Sequence, residues 1–155
     1  FYYWRIIMLD LESILNEWKT DAEIDRYKLD DTSIETSKLH AKYLQYLSLT
    51  KLQLKRAEHS QRNLFKDKFM YYEGKMSQED INSKNWQYDP FEGNLPTKAM
   101  KEKMADADTD IQKSEEKVEY LKVTISTLEE IIQTLRWRHS TIKNIIDWRR
   151  LESGG

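Results

Sequence analysis

The sequence predicts an all-α protein, and three observations predict it. Its 155 residues include only 4 glycines and 2 prolines, whereas a β sandwich or barrel needs a turn residue every ~8–12 positions. Residues 36–73 contain neither Gly nor Pro. From Ile111 onward, apolar residues recur at alternating spacings of three and four, the pattern of a helical seam.

In chain order, Asp10 opens a first short helix on which Leu11, Ile14, Leu15 and Trp18 fall on one face. It ends near Thr20 and Asp21. Residues 21–35 are acidic and weakly periodic, which reads as a loop with room for one helical turn. The second helix opens at Thr36 or Ser37 and runs to about Tyr72, with Gly74 just past it as a stop signal. Between residues 74 and 108 lie both prolines and two of the glycines. This connection predicts a short helix near 78–82, an irregular piece from Trp86 to Gly93, and a weak helix over 97–105.

The last helix, over 109–152 with Asp108 as its cap, is the strongest signal. Its seam reads Ile111, Ser114, Val118, Leu121, Ile125, Leu128, Ile132, Leu135, His139, Ile142, Ile146 and Arg149. Ile131, Trp137, Ile145 and Trp148 lie off that line, so the helix has a second apolar flank. Two long helices and a short one do not enclose a large core. The expected architecture is a long antiparallel helical hairpin with a short N-terminal helix, one domain over 8–155, associating with further copies through its C-terminal helix. Leu121, Ile125, Leu128, Ile132, Leu135, Ile142, Ile145, Ile146 and Trp148 are the residues expected to meet there. His139, on the seam, reads as a buried polar device that fixes register. Residues 1–7 precede Met8 and read as upstream translation or an added extension, with a processed or truncated chain as the other reading.

With no cysteine, disulfides, thiolate zinc sites and cysteine nucleophiles are excluded. No run approaches the ~18 apolar residues of a membrane span. His40, His59 and His139 stand apart from one another and the glycines form no phosphate-binding loop. The chain therefore reads as a non-enzyme without metal or cofactor.

The formal net charge of −2 argues at first against nucleic acid. By segment it does not. Residues 10–35 carry three basic and nine acidic side chains, and residues 76–116 five and ten. Residues 51–75 carry seven basic and three acidic, and residues 136–150 five basic and one acidic. Two basic helical surfaces are offset by two acidic regions. On the second helix Lys51, Lys55, Arg62 and Lys66 project within about 60° of one another, beside Phe65 and Phe69; Arg56 and Lys68 belong to the same basic segment and are taken with them as candidate DNA contacts. Cations that track phosphates next to aromatics that stack on bases suit single-stranded nucleic acid. The same stripe also fits the solvated face of an amphipathic helix, with Phe65, Phe69, Tyr71 and Tyr72 packed in the hairpin. Arg136, Arg138, Lys143, Arg149 and Arg150 form the second basic surface. Trp86, Tyr88 and Phe91, set in acidic surroundings, read either as a protein-docking element or as a loop pinned by its own aromatics.

The stretch Leu39-His40-Ala41-Lys42-Tyr43-Leu44, continuing through Lys51 and Arg56 to Lys66-Asp67-Lys68-Phe69-Met70-Tyr71-Tyr72-Glu73-Gly74, resembles the UvsY recombination mediators of T-even-like phages. The ending Ile142-Lys143-Asn144-Ile145-Ile146-Asp147-Trp148-Arg149-Arg150-Leu151-Glu152-Ser153-Gly154 is similar to that family's C-terminus. Asp89-Pro90-Phe91 is similar to the central loop of its marine members. The resemblance implies a non-enzymatic mediator, in the cytoplasm of an infected bacterium, that binds single-stranded DNA and forms a ring-like hexamer or heptamer. It also implies contacts with a phage RecA-type recombinase and a phage single-stranded-DNA-binding protein, which the recombinase must displace. The family's basic DNA-binding pair matches Lys66 and Lys68. The second of the pair is Arg in the best-known member, and Lys keeps the charge without the planar fork. The alternative is a coiled-coil scaffold with no DNA role. Adsorption to a membrane surface fits poorly, because the apolar faces are needed for packing.

Overall fold

A computed structural model of the protein describes residues 10–154; the expectation for residues 1–7 lies outside them. Five helices make up the described chain and no strand occurs in it: α1 (Leu11–Asp21), α2 (Leu29–Tyr72), α3 (Gln78–Ser83), α4 (Lys98–Asp106) and α5 (Thr109–Glu152). The all-α expectation holds, and α1, α3, α4 and α5 lie within a residue or so of the predicted bounds.

The start of α2 is a correction. Residues 29–35 are helical rather than loop. Thr32 and Thr36 are buried there, and each hydroxyl donates to the carbonyl one turn earlier, Thr32 to Lys28 (2.9 Å) and Thr36 to Thr32 (3.0 Å). A threonine bonded back in this way hides its polarity and turns its methyl outward, so it serves as an apolar position. At the other end, α2 stops where Gly74 adopts φ 71° and Lys75 N–H donates to the Met70 carbonyl at 2.9 Å. Glycine takes this left-handed conformation without the steric cost a side chain would meet.

The helices gather into two compact units. The first comprises α1, α2 through Leu52 and α5 from Lys122. Its core is Ile14, Tyr43, Leu47, Leu128, Ile131, Ile132 and Leu135, flanked by Trp18, Leu39, Tyr46 and Ile125. Tyr43 is fully buried, and its ring meets Trp18 edge-on at 5.5 Å. Its hydroxyl donates to the Asp21 carboxylate at 2.8 Å. Lys42 is held there as well, 2.7 Å from both Asp21 and Glu17.

The second unit spans residues 53–121, the rest of α2 with α3, α4 and α5 through Leu121. Ala57, Val118, Leu121 and Leu54 form one apolar cluster. In each unit α2 and α5 run antiparallel: Tyr43 packs with Leu128 to Leu135 in the first, and Ala57 with Val118 and Lys68 with Asp108 in the second.

These cores revise the seam. Leu121, Leu128, Ile132, Leu135 and Ile142 are buried within the chain, and Ile125 is half-buried against the same core. Packing against α2 and α1 consumes the face expected to meet another copy. Ile145 is half-buried, while Ile146 and Trp148 are exposed. His139 is exposed rather than buried.

Candidate nucleic-acid interface

In the second unit, α2 presents Lys55, Arg56, Arg62 and Lys66 to solvent, and none of them is ion-paired among the described residues. The reason lies in the helix period: Ala57, Leu54 and Lys68 face the unit's interior, so the opposite face carries the cations. Phe65 and Phe69 lie beside them, 39% and 60% exposed. Of the four aromatics that the solvated-face alternative packs in the hairpin, these two are exposed, whereas Tyr71 is buried. Lys51, in the first unit, is exposed and 3.6 Å from Glu129.

Lys68 departs from expectation. It is only 4% exposed. Its ammonium lies 2.8 Å from Asp108 and 3.1 Å from Asp110, and sits 3.8 Å from the centroid of the Trp86 ring. A lysine enclosed by two carboxylates and an indole face cannot present its charge to a phosphate, so its place as the second member of an exposed basic pair is corrected. The same knot fixes the connection. Trp86 Nε1 donates to Asp110 at 3.1 Å, Tyr72 donates to Asp108 at 2.6 Å, and Tyr71 donates to the Gln87 carbonyl. Asp108 also accepts from the backbone N–H groups of Asp110 and Ile111, which caps α5 as predicted. Burial pushes the Asp108 carboxyl up, but hydrogen bonds from Lys68, Tyr72 and Ile111 outweigh it and hold the group below its ordinary range.

Trp86 and Phe91 are thereby pinned to the two tyrosines at the end of α2, Trp86 at 5.1 Å from Tyr71 and Phe91 at 6.2 Å from Tyr72. Asp89 tightens the turn by accepting from Phe91 and Gly93 N–H. Of the three loop aromatics only Tyr88 projects into solvent.

Beside the cations, a cleft of about 370 Å³ opens between the end of α2, α4 and the start of α5. Phe65, Phe69, Tyr72, Ala105 and Ile111 line it. Lys98 and Lys101 reach its edge from α4, where Lys101 pairs with Glu73 at 3.0 Å. Sequence reasoning missed this α4 wall, because its alignment with α2 depends on the fold of the connection.

The second basic surface, in the first unit, is divided. Arg136, Lys143, Arg149 and Arg150 are exposed. Arg138 is buried, and its two terminal nitrogens donate to the carbonyls of Asp21 (2.7 Å) and Glu23 (2.9 Å). It closes the end of α1 instead of joining the surface. Among the described residues no group of His, Asp and Glu has the spacing of a metal site, and no helix is long and apolar enough to cross a membrane.

The fold has experimental counterparts. Three crystal structures of the bacteriophage T4 recombination mediator protein UvsY, in lattice types II, IV and I, superpose with TM-scores of 0.77, 0.73 and 0.72. Sequence identity is 23%, 23% and 24%; the matches cover 94%, 93% and 90% of this chain and 99%, 99% and 98% of that protein. At this identity the likeness speaks for the fold alone. No curated protein matches the chain by sequence. Over residues 17–155 the sequence matches the family described as "Recombination, repair and ssDNA binding protein UvsY", and the chain belongs to that family.

Proposed function

We propose that the protein binds single-stranded DNA through the exposed cations of α2 in its second unit and, as a mediator, helps load a RecA-type recombinase onto DNA covered by single-stranded-DNA-binding protein. One observation carries the reading: Lys55, Arg56, Arg62 and Lys66 are exposed, with no ion pair among the described residues, beside the exposed rings of Phe65 and Phe69. Unpaired cations release counterions from phosphates, and exposed rings accept bases of any sequence. Family membership supports the same assignment. The reaction is a transfer of DNA between proteins, with no bond made or broken, so the protein is no enzyme and needs no cofactor. Its place is the cytoplasm of the infected bacterial cell.

Assembly into a hexamer or heptamer completes the proposal. A ring repeats each modest DNA site once per subunit, so that strand affinity comes from multivalency. Because the seam is spent on the intrachain cores, Ile145, Ile146 and Trp148 are the residues we assign to subunit contact. Arg136, Lys143, Arg149 and Arg150 supply further positive charge near them in sequence. The acidic regions remain for the recombinase and the single-stranded-DNA-binding protein.

The test is a salt titration of binding to a labelled single-stranded oligonucleotide. Log affinity should fall linearly with log salt, by roughly 0.7 per phosphate neutralised. The Arg62→Ala, Lys66→Ala double variant should bind more weakly with a shallower slope. An affinity indifferent to both salt and these substitutions would leave the chain as a scaffold without a DNA role.

A further inference from the structure

We propose that the cleft between α2, α4 and the start of α5 takes an unstacked nucleobase of the bound strand, held between the Phe65 and Phe69 rings and the α4 wall. The proposal rests on the DNA-binding reading above. It adds the part of the nucleic acid that the site recognises and a wall of the site contributed by α4.

Three features of the cleft point to this occupant. The first is its surface. Phe69 is 60% exposed and Phe65 39%, a large apolar area left in water on one side of a cavity of about 370 Å³. That volume lies within the ordinary range for small-ligand pockets, roughly 300–1,000 Å³.

The second is its continuity with the cations. Arg62 precedes Phe65 by three residues and Lys66 precedes Phe69 by three, which places each cation directly beside a ring on the helix surface. A strand whose phosphates follow Arg62 and Lys66 therefore carries its bases across the mouth of the cleft. On the far lip, Lys98 is almost fully exposed and pairs loosely with Glu102, at 4.0 Å across exposed side chains, a contact worth little in water. It is free to swing to the next phosphate.

The third is the chemistry of the floor. Lys68 is fully engaged by Asp108 and Asp110, and the Tyr72 hydroxyl by Asp108. Glu73 is matched by Lys101. Those carboxylates, with Glu102 and Asp106 at the edge, repel phosphate from the interior and keep the backbone on the Arg62 and Lys66 side. With the ammonium and hydroxyl groups of its floor committed, the cleft recognises a base by its face, so it should accept all four bases with little preference.

The experiment compares a short oligo-dT with an abasic strand of the same length and charge. Phe69→Ala should weaken oligo-dT binding about tenfold, the scale of one stacked base, and leave abasic binding and the salt slope at the parent's values. A strand carrying 5-iodouracil should crosslink under ultraviolet light to Phe65 or Phe69, and Lys98→Ala should lower affinity for both strands. Several outcomes overturn the proposal. One is a Phe69→Ala variant, and a Phe65→Ala variant beside it, that bind oligo-dT as the parent does. A second is an equal loss on both strands. A third is a fall in assembly mass in Phe69→Ala, which would assign the cleft to a neighbouring copy. These leave the DNA-binding reading intact as long as the parent shows steep salt dependence. A parent that binds no single strand at any salt overturns both.

Discussion

The Lys68 ammonium and the Asp108 carboxylate meet at 2.8 Å with both side chains buried, tying the last turns of α2 to the cap of α5. Breaking a buried pair by removing one partner strands a charge away from water, at a cost of about 3–5 kcal/mol. Lys68→Ala should remove a large fraction of the total stability, read as a large fall in urea midpoint, while Lys66→Ala, two residues away and exposed, should change the stability by no more than ~0.5 kcal/mol. In DNA binding the order reverses. Under conditions where both variants are folded, Lys66→Ala should lower the salt slope by roughly 0.7 and Lys68→Ala should leave it unchanged. Equal stability of the two variants would refute the structural role of Lys68.

The titration behaviour of the two units predicts where stability is lost. Burial raises the Asp108 and Asp21 carboxyls, but hydrogen bonds from Lys68 and Tyr72, and from Lys42 and Tyr43, prevail and hold both below the ordinary value. Such groups stabilise the fold above the unfolded-chain value of about 3.9, and the contribution disappears as pH falls through their folded values. Tyr43 and Tyr72 are shifted the other way, first by burial and then by hydrogen bonds to those same carboxylates. Their contribution is present below the unfolded tyrosine value of about 10 and is lost as pH rises beyond it. Urea midpoints should therefore form a plateau that falls below about pH 4 and above about pH 10. Tyr72→Phe should flatten the alkaline limb and Asp21→Asn the acid one. An alkaline limb identical in Tyr72→Phe and the parent would contradict the assignment.

Much of this architecture is legible because helix signals are local. The aliphatic positions of α5, the cap at Asp108 and the stop at Gly74 are all set within a turn or two of sequence. The first turns of α2 escaped for a physical reason: their buried stripe is Thr32 and Thr36, which count as polar until their hydroxyls are seen bonded to the preceding turn. At the site, the spacing that aligns Lys51, Lys55, Arg62 and Lys66 leaves Lys68 roughly 100° or more away from each of them. Family resemblance alone placed Lys68 with the DNA contacts, and its carboxylate partners lie 40 or more positions further along the chain. No local pattern announces such a pair.

Arg138 offers a separable test within the first unit. It is one of five basic residues in a basic segment, yet its guanidinium is spent on the carbonyls of Asp21 and Glu23. Arg138→Ala should leave these carbonyls without donors at the end of α1 and destabilise the fold by about 1–3 kcal/mol. Arg138→Lys should recover little of this, because one ammonium cannot reproduce the two-pronged geometry. Arg149→Ala, on an exposed side chain, should leave stability unchanged. Hydrogen exchange at the end of α1 would read the difference directly; protection of residues 18–24 that survives in Arg138→Ala would remove the capping role.

The seam itself makes the final prediction, because two hydrophobic residues on one helix have opposite fates. Leu128 is fully buried in the core with Tyr43 and Leu47, whereas Trp148 is 64% exposed, its indole N–H bonded to Glu152 one turn on. Removing the Leu128 side chain leaves a cavity and should cost about 2–5 kcal/mol, and a charge there should unfold the chain before it could separate subunits. Trp148→Ala removes no core contact and should leave the urea midpoint near the parent's, while the assembly mass by light scattering falls. Leu128→Ala, as long as it remains folded, should keep the parent's mass. The opposite pattern, with mass lost in Leu128→Ala and retained in Trp148→Ala, would return the subunit contact to the seam.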